Sequence, residues 1–377
     1  MKVEEGTMQV PFVDLKLQYR NLRTDMMTVM DDVCSGARFI LGPELQQFEK
    51  NFAQFVGAQY AIGVSTGTDA IMMSLKAVGV NAGDEVISVA NTFIATILAI
   101  SSCGAKPVLV DCDPLYYNID PEKIERAITR QTKAIVPVHL YGQPANMDPI
   151  MEIAKKHNLK VIEDACQSHG AQYHGKTTGT IGEAGCFSFF PGKNLGGYGD
   201  GGGVVTNDPA IAEAIQMMRN YGQKVKYHHL MKGWNFRLDN LQAGILNVKL
   251  KHLAQWSAGR YDAAQKYTRQ LKELGDRVIT PAEMPNSTHV YHLYIIRVKE
   301  RDSLQKFLKE KGVETGIHYP IPIHLSPAYA DLGYKKGDFP VTERYADEVL
   351  SLPMFAEITD EQINFVVESI KEFYKNH

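Results

Sequence analysis

No apolar run in the 377-residue chain approaches the ~20 residues that a membrane-spanning helix needs. Charge of one sign is not in excess either. Forty Lys and Arg against 43 Asp and Glu leave a net charge of −3, which argues against nucleic acid or a membrane surface as partner. The five cysteines (Cys34, Cys103, Cys112, Cys166 and Cys186) are odd in number and never spaced as CxxC, which excludes a disulfide framework and a structural zinc site and fits a reducing cytoplasm. Among twelve histidines there is no HExxH pattern, and the adjacent pair in "YHHL" cannot easily serve one metal from a regular strand, so no metal is expected. The first residues, "MKVEEGTMQV", lack an apolar signal core. Export is therefore not expected, and Met8 is a second possible start after a short extension. The common nucleotide motifs are missing too. "GYGDGG" (Gly197 to Gly202) matches GxGxxG in letters, but the strand-like "GVVTN" follows where a helix must begin. "PGKN" lacks both the earlier glycine and the Ser/Thr of a phosphate-binding loop.

What the chain does contain is an alternation of short β-branched runs and helical stretches from Ala61 to Val205. "YAIGVS" precedes "TDAIMMSLKAVG", "DEVISVA" precedes "NTFIATILAISSCG", and "KPVLVDC", "KAIVPVHLYG" and "KVIEDA" continue the pattern. Runs apolar on both faces, separated by helices, predict an α/β fold with a mostly parallel sheet in three layers. Two late strands, "GCFSFF" and "GGVVTN", follow with no helix between them. After "LDNLQAGILNVKLKHLAQW" the character changes to an α+β pattern. The expected division is a large domain over residues 1–254 and a small C-terminal α+β domain over 255–377.

Ligands of a parallel α/β sheet collect beyond the carboxyl ends of its strands, so the residues after each run carry the chemistry. "STGTDA" (Ser65 to Ala70) follows the first run and offers backbone N–H groups and hydroxyls to an anion. The same residues could simply cap a helix. "KVIEDACQSHG" ends its strand on Glu163 and Asp164, with Gln167 three residues on. A buried acid there needs a cation, a set of donors or a protonated ring nitrogen as partner. "SFFPGKNLGGYGDGGG" places Lys193 between phenylalanines and a run of glycines. An amine on such a surface is desolvated and its pKa falls, as a Schiff-base lysine requires; an exposed loop lysine is the plainer alternative. A phosphate cradle, an acid at a strand end and a lysine beyond it are, taken together, what pyridoxal 5′-phosphate needs.

With those residues in view, the sequence resembles the DegT/DnrJ/StrS-type sugar aminotransferases, pyridoxal-phosphate enzymes of fold type I (aspartate aminotransferase-like). The resemblance runs from "VPFVDLKLQY" and "GPELQQFEKNFAQFVGA" to "SLPMF", through "GTDA", "EDACQSHGA", "SFFPGKNLGGYGDGG", "WNFRLDNLQAGIL" and "HYPIPIH". It implies that Lys193 binds the cofactor aldehyde, Asp164 pairs with the pyridine nitrogen and Gln167 serves the ring-hydroxyl side. It further implies that Gly67, Thr68 and Ser188 hold the phosphate and that Phe93 stacks on the ring. Asn235 would reach the phosphate from a partner subunit, which implies a homodimer with shared sites. Tyr319, His318 and His324 would lie near the sugar or its diphosphate, with Tyr227 and Arg237 near nucleotide phosphates. Cys166, Tyr221 and Ser326 stand where relatives often carry alanine, histidine and glutamine. The implied reaction moves an amino group, with L-glutamate as donor, to a nucleotide-linked keto-sugar. The lysine-loop sequence looks most like the branch that aminates C-3 of dTDP-3-keto-6-deoxyhexoses. UDP-3-keto-N-acetylglucosamine derivatives and 4-keto sugars are the alternatives, as is a non-catalytic regulator on the same scaffold. A dehydratase of this fold would lack Lys193.

Overall fold

The computed structural model describes residues 8–376, so the expectation of a short extension over Met1–Thr7 concerns residues outside those described. Two helices, α1 (Leu15–Ser35) and α2 (Pro43–Val56), come first. Then alternate β1 (Tyr60–Val64), α3 (Gly67–Ala77), β2 (Glu85–Val89), α4 (Ile94–Ser102), β3 (Lys106–Val110), α5 (Pro121–Ala127), β4 (Thr132–Val136), α6 (Met147–His157) and β5 (Lys160–Asp164). Two very short strands, β6 (Gln172–Tyr173) and β7 (Lys176–Thr177), form a hairpin before β8 (Ala184–Ser188) and β9 (Gly202–Thr206). The chain continues through α7 (Pro209–Met218), the β10 (Gln223–Val225) and β11 (His228–His229) hairpin, α8 (Asn240–Leu250) and α9 (Leu253–Leu271). It ends with β12 (Ser287–Thr288), β13 (Tyr294–Arg297), α10 (Arg301–Glu310), α11 (Pro340–Glu348), β14 (Val349–Leu352) and α12 (Asp360–Asn376).

The central sheet has seven strands in the order β1-β9-β8-β5-β4-β2-β3. Every neighbouring pair is parallel except those made by β9, which runs against both β1 and β8. That is the consequence of two consecutive strands joined by a loop rather than a helix: without a crossover, the second must return antiparallel. The six parallel strands therefore end on one edge, and Val64, Val89, Asp164 and Ser188 lie along it. Both faces of the sheet are covered. In β2, Val86 packs into the cluster with Ile71, Ile97 and Met218, while Ile87 and Val89 pack into the opposite one with Ile124, Met147 and Ile150. A strand buried on both sides reads as a continuous apolar run, which is how the sequence betrays it.

A further core unites α9, α10 and α12 with the antiparallel pair β13–β14 through Tyr267, Leu271, Tyr294, Leu304, Leu350, Val366 and Phe373. The boundary expected at 254/255 falls in the first turn of α9. All five cysteines carry free thiols. Among the described residues, no helix is long and apolar enough to cross a membrane.

Candidate active site

Beyond the parallel strand ends lies a cavity of about 590 Å³, bordered by the starts of α3 and α4, the end of β5, the Lys193 loop and residues 318–319. One end of it is built at the start of α3. Thr66 is the N-cap: its hydroxyl oxygen accepts from the Asp69 N–H at 3.1 Å and donates to Asp69 Oδ2 at 2.7 Å, and Ser65 Oγ donates to the same oxygen at 2.6 Å. Capping and cradle are thus divided between residues. Thr66 and Asp69 cap the helix, leaving the N–H groups of Gly67 and Thr68 without a partner among the described residues, at the positive end of a helix on the cavity wall. Gly67 has to be glycine, because a Cβ there would meet Cys166 Sγ at 2.7 Å and Ser188 Cβ at 2.9 Å. The glycines after Lys193 serve another purpose. A Cβ on Gly202 would lie 2.2 Å from the Thr66 carbonyl oxygen, so the bare backbone there lets β9 close onto the turn rather than admitting a ligand.

The two acids ending β5 point to opposite sides of the sheet, as the strand's period of two requires. Glu163 is fully buried and satisfied by the protein itself. It accepts from His139 Nε2 at 2.9 Å and from the N–H groups of Gly179, Ile181 and Gly182 at 2.7 Å each. His139 Nδ1 accepts from the Ala145 N–H at 2.9 Å, which fixes the proton on Nε2. Asp164 faces the cavity. Thr96 Oγ1 donates to its Oδ2 at 2.8 Å and the Cys166 N–H to its Oδ1 at 3.1 Å, so the carboxylate is held in one orientation. Thr96 is in turn bonded to Thr92 at 2.9 Å.

Gln167 is fixed at both ends. Its Oε1 accepts from the Tyr141 N–H at 2.7 Å, and its Nε2 donates to Tyr319 Oη at 3.2 Å. Tyr141 closes the circuit by donating its hydroxyl to the His318 carbonyl. Lys193 sits in the loop after β8 with its N–H on the Phe190 carbonyl at 2.9 Å, and among the described residues Nζ has neither a hydrogen bond nor an ion pair. Surrounded by protein, the amine is held below the usual lysine range; Cys166 and Asp164 pull in the opposite direction and lose. The Cys166 thiol is pushed well up by burial and by Asp164, which leaves it protonated and unreactive. Phe93, the residue before α4, is 50% exposed and faces the cavity, with its ring 5.3 Å from that of Tyr319.

Of the residues expected at the site, the structure brings together Gly67, Thr68, Phe93, Asp164, Gln167, Ser188, Lys193, His318 and Tyr319. His318 is held through Nδ1 by Ser351 Oγ at 2.7 Å, and burial, then the Lys193 charge, lowers its pKa to about 4. Burial raises the Tyr319 phenol well above its ordinary value, so it stays a neutral hydroxyl. His324 is a correction. It is buried away from the cavity, with Nε2 2.9 Å from Glu343 and its ring edge-on to Phe339, because the Ile323–Leu325 turn points it into the core. Asn235, Tyr227 and Arg237 do not border this chain's cavity either. Asn235 is exposed, Tyr227 protrudes from the β10–β11 turn, and Arg237 donates to Asn220 Oδ1 at 3.2 Å beneath the Tyr221 ring. Sequence reasoning missed Phe12, Thr92, Thr96 and His292, all of which line the cavity. Only Thr96 left a trace, one turn after Phe93 on the same helix.

The sequence profile of the DegT/DnrJ/EryC1/StrS aminotransferase family matches residues 21–371. The chain belongs to this family. A curated relative from Geobacillus stearothermophilus, named a pleiotropic regulatory protein, is 51% identical over 98% of this chain and 100% of its own length. The dTDP-3-amino-3,4,6-trideoxy-alpha-D-glucose transaminase of Streptomyces venezuelae is 43% identical over 99% of this chain and 98% of its own. The crystal structure of S. venezuelae DesV, in complex with a ketimine intermediate, superposes with a TM-score of 0.95 at 43% identity, covering 97% of this chain and 99% of that one. DegT/DnrJ/EryC1/StrS aminotransferases are pyridoxal-phosphate-dependent sugar aminotransferases of fold type I, and the cavity fits that cofactor. Free helix N–H groups and two hydroxyls suit a phosphate, an oriented buried carboxylate suits a ring N–H⁺, and an unpartnered amine suits an aldehyde.

Proposed function

We propose that this aminotransferase moves an amino group from L-glutamate to the C-3 carbonyl of a dTDP-3-keto-6-deoxyhexose, acting as a homodimer. The observation that carries the reading is Lys193: a half-buried residue whose amine has no partner among the described residues, in the same cavity as a fixed carboxylate and an open helix N-terminus. Gly67, Thr68 and Ser188 would hold the cofactor's phosphate and Asp164 its ring nitrogen. When bound, pyridoxal phosphate supplies a protonated conjugated ring that takes up the electron pair left when a carbon beside nitrogen loses its proton. Asp164 keeps that ring protonated, and Thr96 and the Cys166 N–H keep Asp164 aimed. Phe93 covers a face of the cavity and excludes water from it. Lys193, whose pKa is pulled below the usual lysine range by the protein around it, would take the proton from Cα of the donor at Nζ and, in the reverse direction, return a proton to the carbon that receives nitrogen.

A UDP-3-keto-N-acetylglucosamine derivative or a 4-keto sugar is the alternative acceptor. The deciding experiment incubates the holoenzyme with L-glutamate, follows the cofactor's absorbance, and offers a panel of nucleotide-linked keto-sugars with the product read by mass spectrometry. Amination of a dTDP-3-keto-6-deoxyhexose in preference to the rest is the expected outcome; preference for a UDP- or 4-keto sugar overturns the substrate. The regulatory name of the Geobacillus relative favours a second reading, a non-catalytic regulator on this scaffold. Lys193 and Asp164 are the residues such a protein would be free to lose, and both are present, lining one cavity. K193A should abolish conversion of the cofactor by L-glutamate while leaving the fold and the oligomeric state intact. Wild-type protein that binds the cofactor but never converts it with any amine would favour the regulator.

A further inference from the structure

His292 enters the cavity from the segment leading into β13, and its ring is fixed from two directions. Nδ1 lies 3.2 Å from Oδ1 of Asn194, the residue next to Lys193. The Asn194 amide is oriented by its other end: Nδ2 lies 3.0 Å from the Val290 carbonyl, to which only an N–H can donate, so Oδ1 accepts from the histidine. The backbone is clamped as well. The buried Arg260 guanidinium, on α9, donates to the carbonyls of Tyr291 at 3.0 Å, His292 at 3.3 Å and Met354 at 3.1 Å. Burial, together with the neighbouring Lys193 and Arg260 charges, holds the imidazole far below its ordinary pKa, so the ring is neutral. A neutral ring with its proton on Nδ1 presents a lone pair at Nε2. Nε2 has no partner among the described residues, and neither has Lys193 Nζ, although both residues line the same cavity.

We propose that His292 Nε2 accepts a hydrogen bond from an N–H of the amino group that is being transferred, so that the amine is held between His292 and Lys193. The assignment rests on the cofactor-dependent reading of this cavity. A lone pair at that place also repels a carboxylate, so the ring turns the donor's nitrogen toward itself and its carboxylate away. Asn194 acts one step removed, as the positioning residue that sets the tautomer.

The test compares the affinity of the apoprotein for pyridoxamine 5′-phosphate, which carries the amine, with that for 4′-deoxypyridoxine 5′-phosphate, which does not, by titration calorimetry. In H292F the preference for the amine is expected to shrink about tenfold, the worth of one hydrogen bond to a ligand, whereas H292Q, which keeps an acceptor, retains it within about threefold. An unchanged ratio in H292F overturns the proposal, and so does an equal loss in H292F and H292Q, which would mean that the side chain acts by shape. If H292F does not fold, N194L leaves the ring in place but frees its tautomer. It is expected to lower the same ratio about threefold, and no change there is equally fatal. Should the ratios behave as expected while no keto-sugar is aminated, the His292 assignment stands and the proposed function falls.

Discussion

Two adjacent acids, Glu163 and Asp164, take opposite fates on β5. Asp164→Asn keeps a hydrogen-bonding side chain but not the charge that holds a ring nitrogen protonated. We expect the variant to bind the cofactor and to lose about 10³-fold in kcat, read in single-turnover conversion by L-glutamate; unchanged kcat would make Asp164 a structural residue. The histidines make a second expectation. His169 and His289 are buried, and burial lowers both to a pKa of about 3, so each binds its proton more readily in the unfolded chain. Stability contributed by the neutral rings is therefore complete above pH 6.5 and falls as the pH drops from there towards 3, by about 3 kcal/mol per ring at pH 4. Urea midpoints between pH 7 and 4 should show the decline, and H289Q should flatten it. Lys193 and Asp164 were legible in the sequence because each is an ionisable residue where its neighbours forbid one. His292 was not, because "HVYHLYIIRV" reads as an ordinary strand, and its partner Asn194 lies 98 positions away.

The β8–β9 pair shows what periodicity can deliver at the level of elements. Two late apolar runs without an intervening helix read as strands, and in the structure they pair antiparallel. The two-residue strands β6, β7 and β12 could not be read, since a period of two needs several residues to declare itself and theirs depend on pairing with one another. The glycine run after Lys193 was visible in the sequence, but the reason for its last members was not: Gly202, which opens β9, makes room for the Thr66 carbonyl just past the end of the neighbouring β1. Gly202→Ala should therefore push β9 away from the α3 turn, costing about 2–3 kcal/mol of stability by overpacking and weakening cofactor binding in the same variant. A fully stable variant with weakened binding would instead mean that ligand, not chain, needs the space. His324 was misplaced for the same kind of reason. Its motif places it two residues beyond a proline turn, and only the packing against Phe339 and Glu343 decides which way it faces.

For the whole molecule, the exposed Asn235 and Tyr227 and the half-buried Arg237 are the residues that separate a monomeric reading from a shared one. If Asn235 serves a second subunit's phosphate, K193A and N235D are each inactive alone, and mixed dimers regain one intact site, about a quarter of wild-type activity after random mixing of equal amounts. Verified heterodimers without activity would return Asn235 to an ordinary turn residue. Composition says nothing for or against a second subunit, because exposed tyrosines and leucines are common on any surface. The cavity also draws its walls from Phe12 to Tyr319. A ribosome-bound chain consequently has its sheet, its lysine and its acid long before it has Gln167's partner Tyr319, and the last wall arrives only when most of synthesis is over. Cofactor can then stabilise the finished protein but cannot guide its early folding, so nascent chains halted before residue 319 should retain it far less well than full-length chains do.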